Sequence, residues 1–242
     1  MTDSVVVLGA GAPNGVGGAL ARRFAAEGLH VVVSGRTLDK VQASADQVRA
    51  AGGSAEAMAV DVTSAADQDA LFAHVAALGA PVAAVIFNAG GNQPIPFEDL
   101  TEAQFESFWR IGCYGAFLTA KRALPVLAAQ GSGSLLFTGA SASLRGRPLF
   151  GHFASSKAAL RNLVQALARE YGPQGVHVAH VVIDGIINGD VVQGRFADYL
   201  TSLGEDGALA PDAIADAFWV LHGQHRSAWT HELDLRPYKE TW

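Results

Sequence analysis

The chain has a single cysteine among its 242 residues, Cys113, so no internal disulfide can form, and a reducing compartment fits. Charge is scarce, with only 17% of residues Asp, Glu, Lys or Arg. The balance is acidic, at a formal −6. Phosphate neutralisation needs a basic surface, so nucleic acid is excluded as the main partner. No stretch approaches the roughly eighteen apolar residues that a membrane span requires. The N-terminus enters an apolar run within three residues, without a charged segment before it, so no cleaved leader is expected. These absences lead to the expectation of a soluble, cytoplasmic protein with no membrane partner.

Apolar residues are abundant, at 50%, together with 27 glycines. A sizeable core and close packing of helices on a sheet follow. Short β-branched runs alternate with Ala-rich helical segments. Strands are expected over Ser4–Gly9, His30–Gly35, Ser54–Val60, Pro81–Asn88, Ser134–Gly139, Val176–Asp184 and Ala228–Leu235. Helices are expected over Gly15–Glu27, Leu38–Ala51, Ser64–Leu78, Thr101–Gln130, His152–Tyr171 and Pro211–Leu221. Residues Gly185–Ala210 read as irregular, with a short helix near Phe196–Leu203. This α/β alternation predicts one domain over residues 1–242, a doubly wound and mainly parallel sheet with helices on both faces. Ligands of such sheets bind beyond the carboxyl ends of the strands. The loops after Gly9, Gly35, Val60, Asn88, Gly139 and Asp184 should share that edge.

The first of these loops reads GAGAPNGVGGAL, from Gly9 to Leu20. Gly11 permits a tight turn, Gly15 (followed by Val16) lets backbone approach a pyrophosphate, and Gly17 lets helix and sheet pack closely. After the second strand Gly35 stands where an NAD site carries an acid, and Arg36 follows. Arginine pairs with a 2′-phosphate where an aspartate would repel it, and Asn14 could assist, so NADP(H) is expected over NAD(H). Asp61, followed by Val62, either accepts from an adenine amino group or caps the next helix. Asn88, Ala89 and Gly90 offer small residues against which a cofactor can lie.

The glycine loop AGAPNGVG, the element FNAG (Phe87–Gly90) and Lys157 in HFASSKAAL, in that order, resemble the short-chain dehydrogenase/reductase family over nearly the whole chain. The resemblance implies a Rossmann-type sheet of seven parallel strands with three helices on each face. It also implies a homodimer or homotetramer and a small-molecule carbonyl or alcohol substrate. It sets Asp184, Gly185 and Ile187 against the cofactor, and gives Lys157 the nicotinamide ribose to hold. The family's catalytic tyrosine is replaced by Phe153, its serine by Ala140 and its asparagine by Gly112, so of four catalytic positions only Lys157 is retained.

A positioned acid is worth about 10²–10⁴-fold in rate, so loss of the phenol slows the step without abolishing it. Ser141 is the first candidate to orient a substrate oxygen, a turn serine being the alternative. Asp184 reads as an acid or base, or as a cap. Tyr199 reads as packing a short helix or swinging into the site, and His152 as a surface histidine at a helix N-terminus. Two functions remain from the sequence: an oxidoreductase with a non-standard proton donor, or a dinucleotide-binding sensor or assembly subunit with little turnover.

Overall fold

The structure, a computed structural model, describes residues 2–241. Seven strands form one parallel sheet in the order β3-β2-β1-β4-β5-β6-β7. They are β1 (Ser4–Leu8), β2 (His30–Gly35), β3 (Ser54–Ala59), β4 (Val82–Phe87), β5 (Ser134–Thr138), β6 (His177–Ile183) and β7 (Glu232–Leu235). The helices are α1 (Val16–Ala26), α2 (Leu38–Ala50), α3 (Ala65–Ala77), α4 (Glu102–Trp109), α5 (Gly115–Gln130), α6 (Gly151–Tyr171), α7 (Asp190–Arg195), α8 (Ala197–Leu203) and α9 (Pro211–His222). Strand order reverses between β1 and β4, which opens a crevice at their carboxyl ends.

The β-branched runs bury both faces of the sheet, as parallel strands must. Val5, Val7, Val31, Val33 and Ile86 pack against Phe24 and Phe218 under α1, α2 and α9. The alternate residues Val6, Leu8, Val32, Phe87 and Phe137 pack against Leu71, Leu124 and Leu160 under α3, α5 and α6. Three helices therefore cover each face, as expected.

Three boundaries differ from the sequence expectation. The stretch Thr101–Gln130 is not one helix, because a π turn over Arg110–Tyr114 separates α4 from α5. There the Gly115 N–H bonds back to the Arg110 carbonyl, five residues away. The segment read as irregular contains α7 as well as α8. The last strand begins at Glu232 rather than Ala228, because Trp229 stacks on the His177 ring and turns the chain before it joins the sheet.

The start of α1 lies hard against β1. A Cβ at Gly17 would stand 2.5 Å from the Ala10 Cα, whereas a Cβ at Gly11 meets nothing within 4 Å. Gly17→Ala should therefore lower the urea midpoint, by about 1–3 kcal/mol of stability. Gly11→Ala should stay within about 0.5 kcal/mol of wild type. Equal midpoints for the two variants would contradict this packing.

Candidate functional site

A cleft of ≈ 410 Å³ opens at the carboxyl edge of the sheet. Its floor at the β2–β3 end is Gly35, Arg36, Thr37, Lys40, Asp61 and Val62, and β1 and β4 supply Gly9–Gly11 and Ala89–Gly91. At the far end α6 contributes Phe153, Ser156 and Lys157, and Phe108, Ile111 and Gly112 come from α4 and the π turn. The structure thus brings Gly11, Arg36, Asp61, Val62, Ala89, Gly90, Phe153 and Lys157 to one cleft.

Arg36 and Lys40 are exposed at its mouth. Lys40 was not anticipated from sequence; it lies on the first turn of α2, which brings its ammonium to the same corner as Arg36. No side chain can enter from position 35, because a Cβ there would stand 2.5 Å from the Ala10 carbonyl oxygen. Asp61 both lines the cleft and holds its own turn. Its Oδ1 accepts from the Thr63 N–H and hydroxyl, each at 2.8 Å, and Ser64 is the residue that caps α3.

The loop glycines form the N-terminus of α1. Gly15 caps it with backbone alone, and the first turn carries no acid, so amide donors there lack an intrahelical acceptor. An anion is the chemistry that such an end favours. These donors, the cations at the mouth and the bare Gly35 fit a dinucleotide. Asn14, Gly15, Val16 and Gly17 do not themselves line the cleft; Gly189 and Asp190 lie against Asn14 and Gly15, and Gly17 packs on Ala10.

Lys157 is the inner landmark. Only 4% of it is exposed, and Nζ donates to the Thr138 carbonyl at 2.7 Å. That carbonyl is fixed from behind: Thr138 Oγ1 donates to Asn88 Oδ1 at 2.9 Å, and Asn88 Nδ2 donates to the Gly9 carbonyl at 3.2 Å. Asn88 thus ties three strand ends together rather than lining the cleft. Burial pushes the Lys157 ammonium down from 10.5 to about 8. The Phe153 ring centroid lies 5.8 Å from Nζ.

The other positions that sequence associates with catalysis are occupied inward. The Ser156 hydroxyl donates to the Phe108 carbonyl at 3.0 Å, and a Cβ at Gly112 would stand 2.2 Å from that hydroxyl. Gly112 and Ser156 are therefore a matched pair, and an asparagine at 112 requires the serine to move. Ala140 begins the turn Ser141–Ser143, and its N–H donates to Ser143 Oγ at 3.2 Å. Ser143 in turn faces His180 Nε2 at 3.3 Å, while His180 Nδ1 donates to Glu232 at 3.0 Å. Arg161 clamps Glu232 with two bonds of 2.6 and 2.7 Å. Burial pushes His180 down to about 4, so the ring is neutral at ordinary pH.

The remaining proton-donor candidates do not meet the cleft. Ser141 is outside its lining, and its carbonyl accepts from the Leu144 and Arg145 N–H groups. Asp184 is 2% exposed and directs its carboxylate to Arg145 at 3.0 Å and Arg236 at 3.5 Å. It is a buried strap between segments and lies outside the cleft lining. Gly185 and Ile187 also lie outside the lining, and Ile187 pairs with Leu209 and packs on the core. Tyr199 lies on α8 with 51% exposed. His152 is a correction: it is not a surface residue but 1% exposed, because Phe108 packs over its ring at 4.2 Å between centroids.

Among the described residues no helix is long and apolar enough to cross a membrane, and no cluster of three or more His, Cys, Asp or Glu could hold a metal ion.

Known proteins share this fold. The short chain dehydrogenase family profile matches residues 4–199. An oxidoreductase of Sarocladium schorii, asL5, is 33% identical over 178 residues, which span 74% of this chain and 70% of that one. The crystal structure of a short-chain dehydrogenase from Rhodopseudomonas palustris superposes with a TM-score of 0.83 at 34% identity, covering 98% of this chain and 99% of the other. A metagenomic short-chain oxidoreductase solved in complex with NADP shares the fold at a TM-score of 0.82 and 24% identity, over 97% of each chain. On the family profile, these likenesses and the sheet order, the chain belongs to the short-chain dehydrogenase family.

Proposed function

We propose that the chain is an NADP(H)-dependent oxidoreductase of small carbonyl or alcohol substrates in which Lys157 provides the proton. The observation that carries this reading is the cleft's own inventory. Its titratable side chains are Arg36, Lys40 and Asp61 at the β2–β3 end and Lys157 at the α6 end. Among the described residues no other titratable side chain lines the end where Phe153 replaces the phenol, and the Ser156 hydroxyl there is committed to the Phe108 carbonyl.

The dinucleotide would be held by the amide donors of the glycine loop, by Asp61 and by the small residues Ala89 and Gly90. Arg36 and Lys40 would receive a 2′-phosphate, and the absence of any side chain at Gly35 leaves a ribose diol without an acid to bind it. The NADP found with the metagenomic oxidoreductase of the same fold agrees with this choice. The nicotinamide supplies or takes a hydride when bound. Phe153, Phe108 and Ile111 present an apolar wall that excludes water and suits a substrate with a hydrophobic body.

Lys157 Nζ holds the proton that the substrate oxygen needs. An ammonium near pKa 8 releases a proton to an alkoxide readily and regains one from solvent, so its acidity suits acid–base exchange near neutral pH. The nearby Phe153 ring face favours the cationic form between turnovers. Phe105, Trp109 and Phe117 leave aromatic surface exposed on α4 and α5, which supports assembly into a homodimer or homotetramer.

Two measurements test the reading. In a fluorescence titration NADPH should bind more tightly than NADH. Arg36→Ala and Lys40→Ala should each weaken NADPH by about 10–100-fold, the worth of a charge-assisted hydrogen bond, with NADH little changed. Equal loss for both dinucleotides would place these cations away from a 2′-phosphate.

The pH profile tests the proton. Carbonyl reduction needs Lys157 protonated, so its kcat/KM should be flat below pH 8 and fall above it, while alcohol oxidation should rise over the same range. Lys157→Arg keeps the charge but is too weak an acid to give up a proton at these pH values. It should bind NADPH yet lose about 10²–10⁴-fold in reduction. Full activity in Lys157→Arg would exclude Lys157 as the donor. NADPH binding without turnover on a broad carbonyl panel, in wild type and in Phe153→Tyr/Ala140→Ser alike, would favour the sensor reading.

A further inference from the structure

The glycine loop carries a second segment of the chain at Asn14 and Gly15. Gly189 lies against it backbone to backbone: a Cβ there would stand 3.1 Å from the Asn14 carbonyl oxygen and 3.5 Å from the Gly15 Cα. Asp190, the first residue of α7, places its carboxylate on the loop. Oδ2 accepts from the Asn14 N–H at 3.2 Å and Oδ1 from Asn14 Nδ2 at 3.0 Å. The first turn of α1 has no acid of its own and its cap has no side-chain acceptor. The anionic group that faces this end of the loop is therefore brought by another segment, 176 residues further along the chain.

We propose that Asp190 is an affinity-determining residue that competes with the dinucleotide diphosphate for the glycine loop. The inference rests on the dinucleotide reading of the cleft. Asp190 sits on Asn14, immediately before the α1 cap, so a diphosphate drawn to the loop's amide donors lies beside its carboxylate, and two anions repel one another at that range. Binding therefore requires the α7–α8 segment to lift, and the apparent affinity is lowered by the fraction of molecules in which Asp190 is docked.

The segment is built to move. Val191 is 64% exposed, Phe196 55% and Tyr199 51%, so little apolar burial holds it down. Its base is anchored separately: the Leu209 N–H donates to the Ile186 carbonyl and the Asn188 N–H to the Leu209 carbonyl, both at 2.8 Å. Residues beyond Asn188 can swing while that base holds.

The test compares Asp190→Asn and Asp190→Ala with wild type in fluorescence titrations with NADPH and with NADH. Both lie on a partly exposed helix start, so folding should be retained. We expect roughly tenfold tighter binding in each variant, by the same factor for the two dinucleotides, because the diphosphate is common to both. Hydrogen exchange of the amides of residues 189–196 in the free protein should also quicken. Wild-type binding that is unchanged or weakened in both variants would overturn the proposal and leave the cofactor reading intact. If neither wild type nor variants bind any dinucleotide, the cofactor reading falls and this competition falls with it. Binding by the variants alone would support both.

Discussion

A buried lysine ammonium held by a backbone carbonyl is the constraint around which the site is organised. Lys157 is 4% exposed, and its hydrogen bond runs to the Thr138 carbonyl, with no carboxylate among the described residues paired to it. Taking such a charge from water disfavours it, which is why its pKa falls to about 8. The carbonyl can face Nζ only because β4 and β5 end in register beside β1. Asn88 secures that register through Thr138 and Gly9. The seven-stranded sheet thus acts as the rigid mount of one nitrogen atom.

The surroundings keep that nitrogen's options few. Phe153 supplies a ring face instead of a hydroxyl. Ser156 turns its hydroxyl to the Phe108 carbonyl at the π turn, and Ser143 turns its own toward His180. His180 and Glu232 connect to Arg161, one helical turn beyond Lys157 on α6. Asp184 is neutralised by Arg145 and Arg236. Ser156, Ser143, His180 and Asp184 thus have their polar atoms engaged within the protein. On the proposed reading, proton handling that the family distributes over several side chains falls here to Lys157.

The strands were legible because β-branched runs such as VVV and AVIF have no stable alternative to a sheet buried on both faces. The glycine loop was legible because its spacing follows from backbone geometry. The π turn was not, since the helical apolar period continues through Arg110–Tyr114 and only the hydrogen bonding changes. His152 was misread because a residue in the first turn of a helix is commonly solvated, and only the crossing of α4 over α6 places Phe108 on its ring. The fate of Asp184 depended on two arginines, at 145 and 236, whose approach is set by tertiary structure alone. Asp190 gave no signal, because the loop it contacts lies at the opposite end of the chain. Local propensity thus showed the cradle, whereas the partners of charged groups are long-range and emerged only with the fold.

The most direct measurement is the titration of the Lys157 ammonium itself. In protein labelled with ¹⁵N-lysine, the Nζ resonance assigned by its loss in Lys157→Met should titrate with a midpoint near 8 in the free protein. A midpoint at the ordinary value of 10.5 would show that the nitrogen is solvated or paired with an acid. The account of Lys157 as the proton donor would then be wrong.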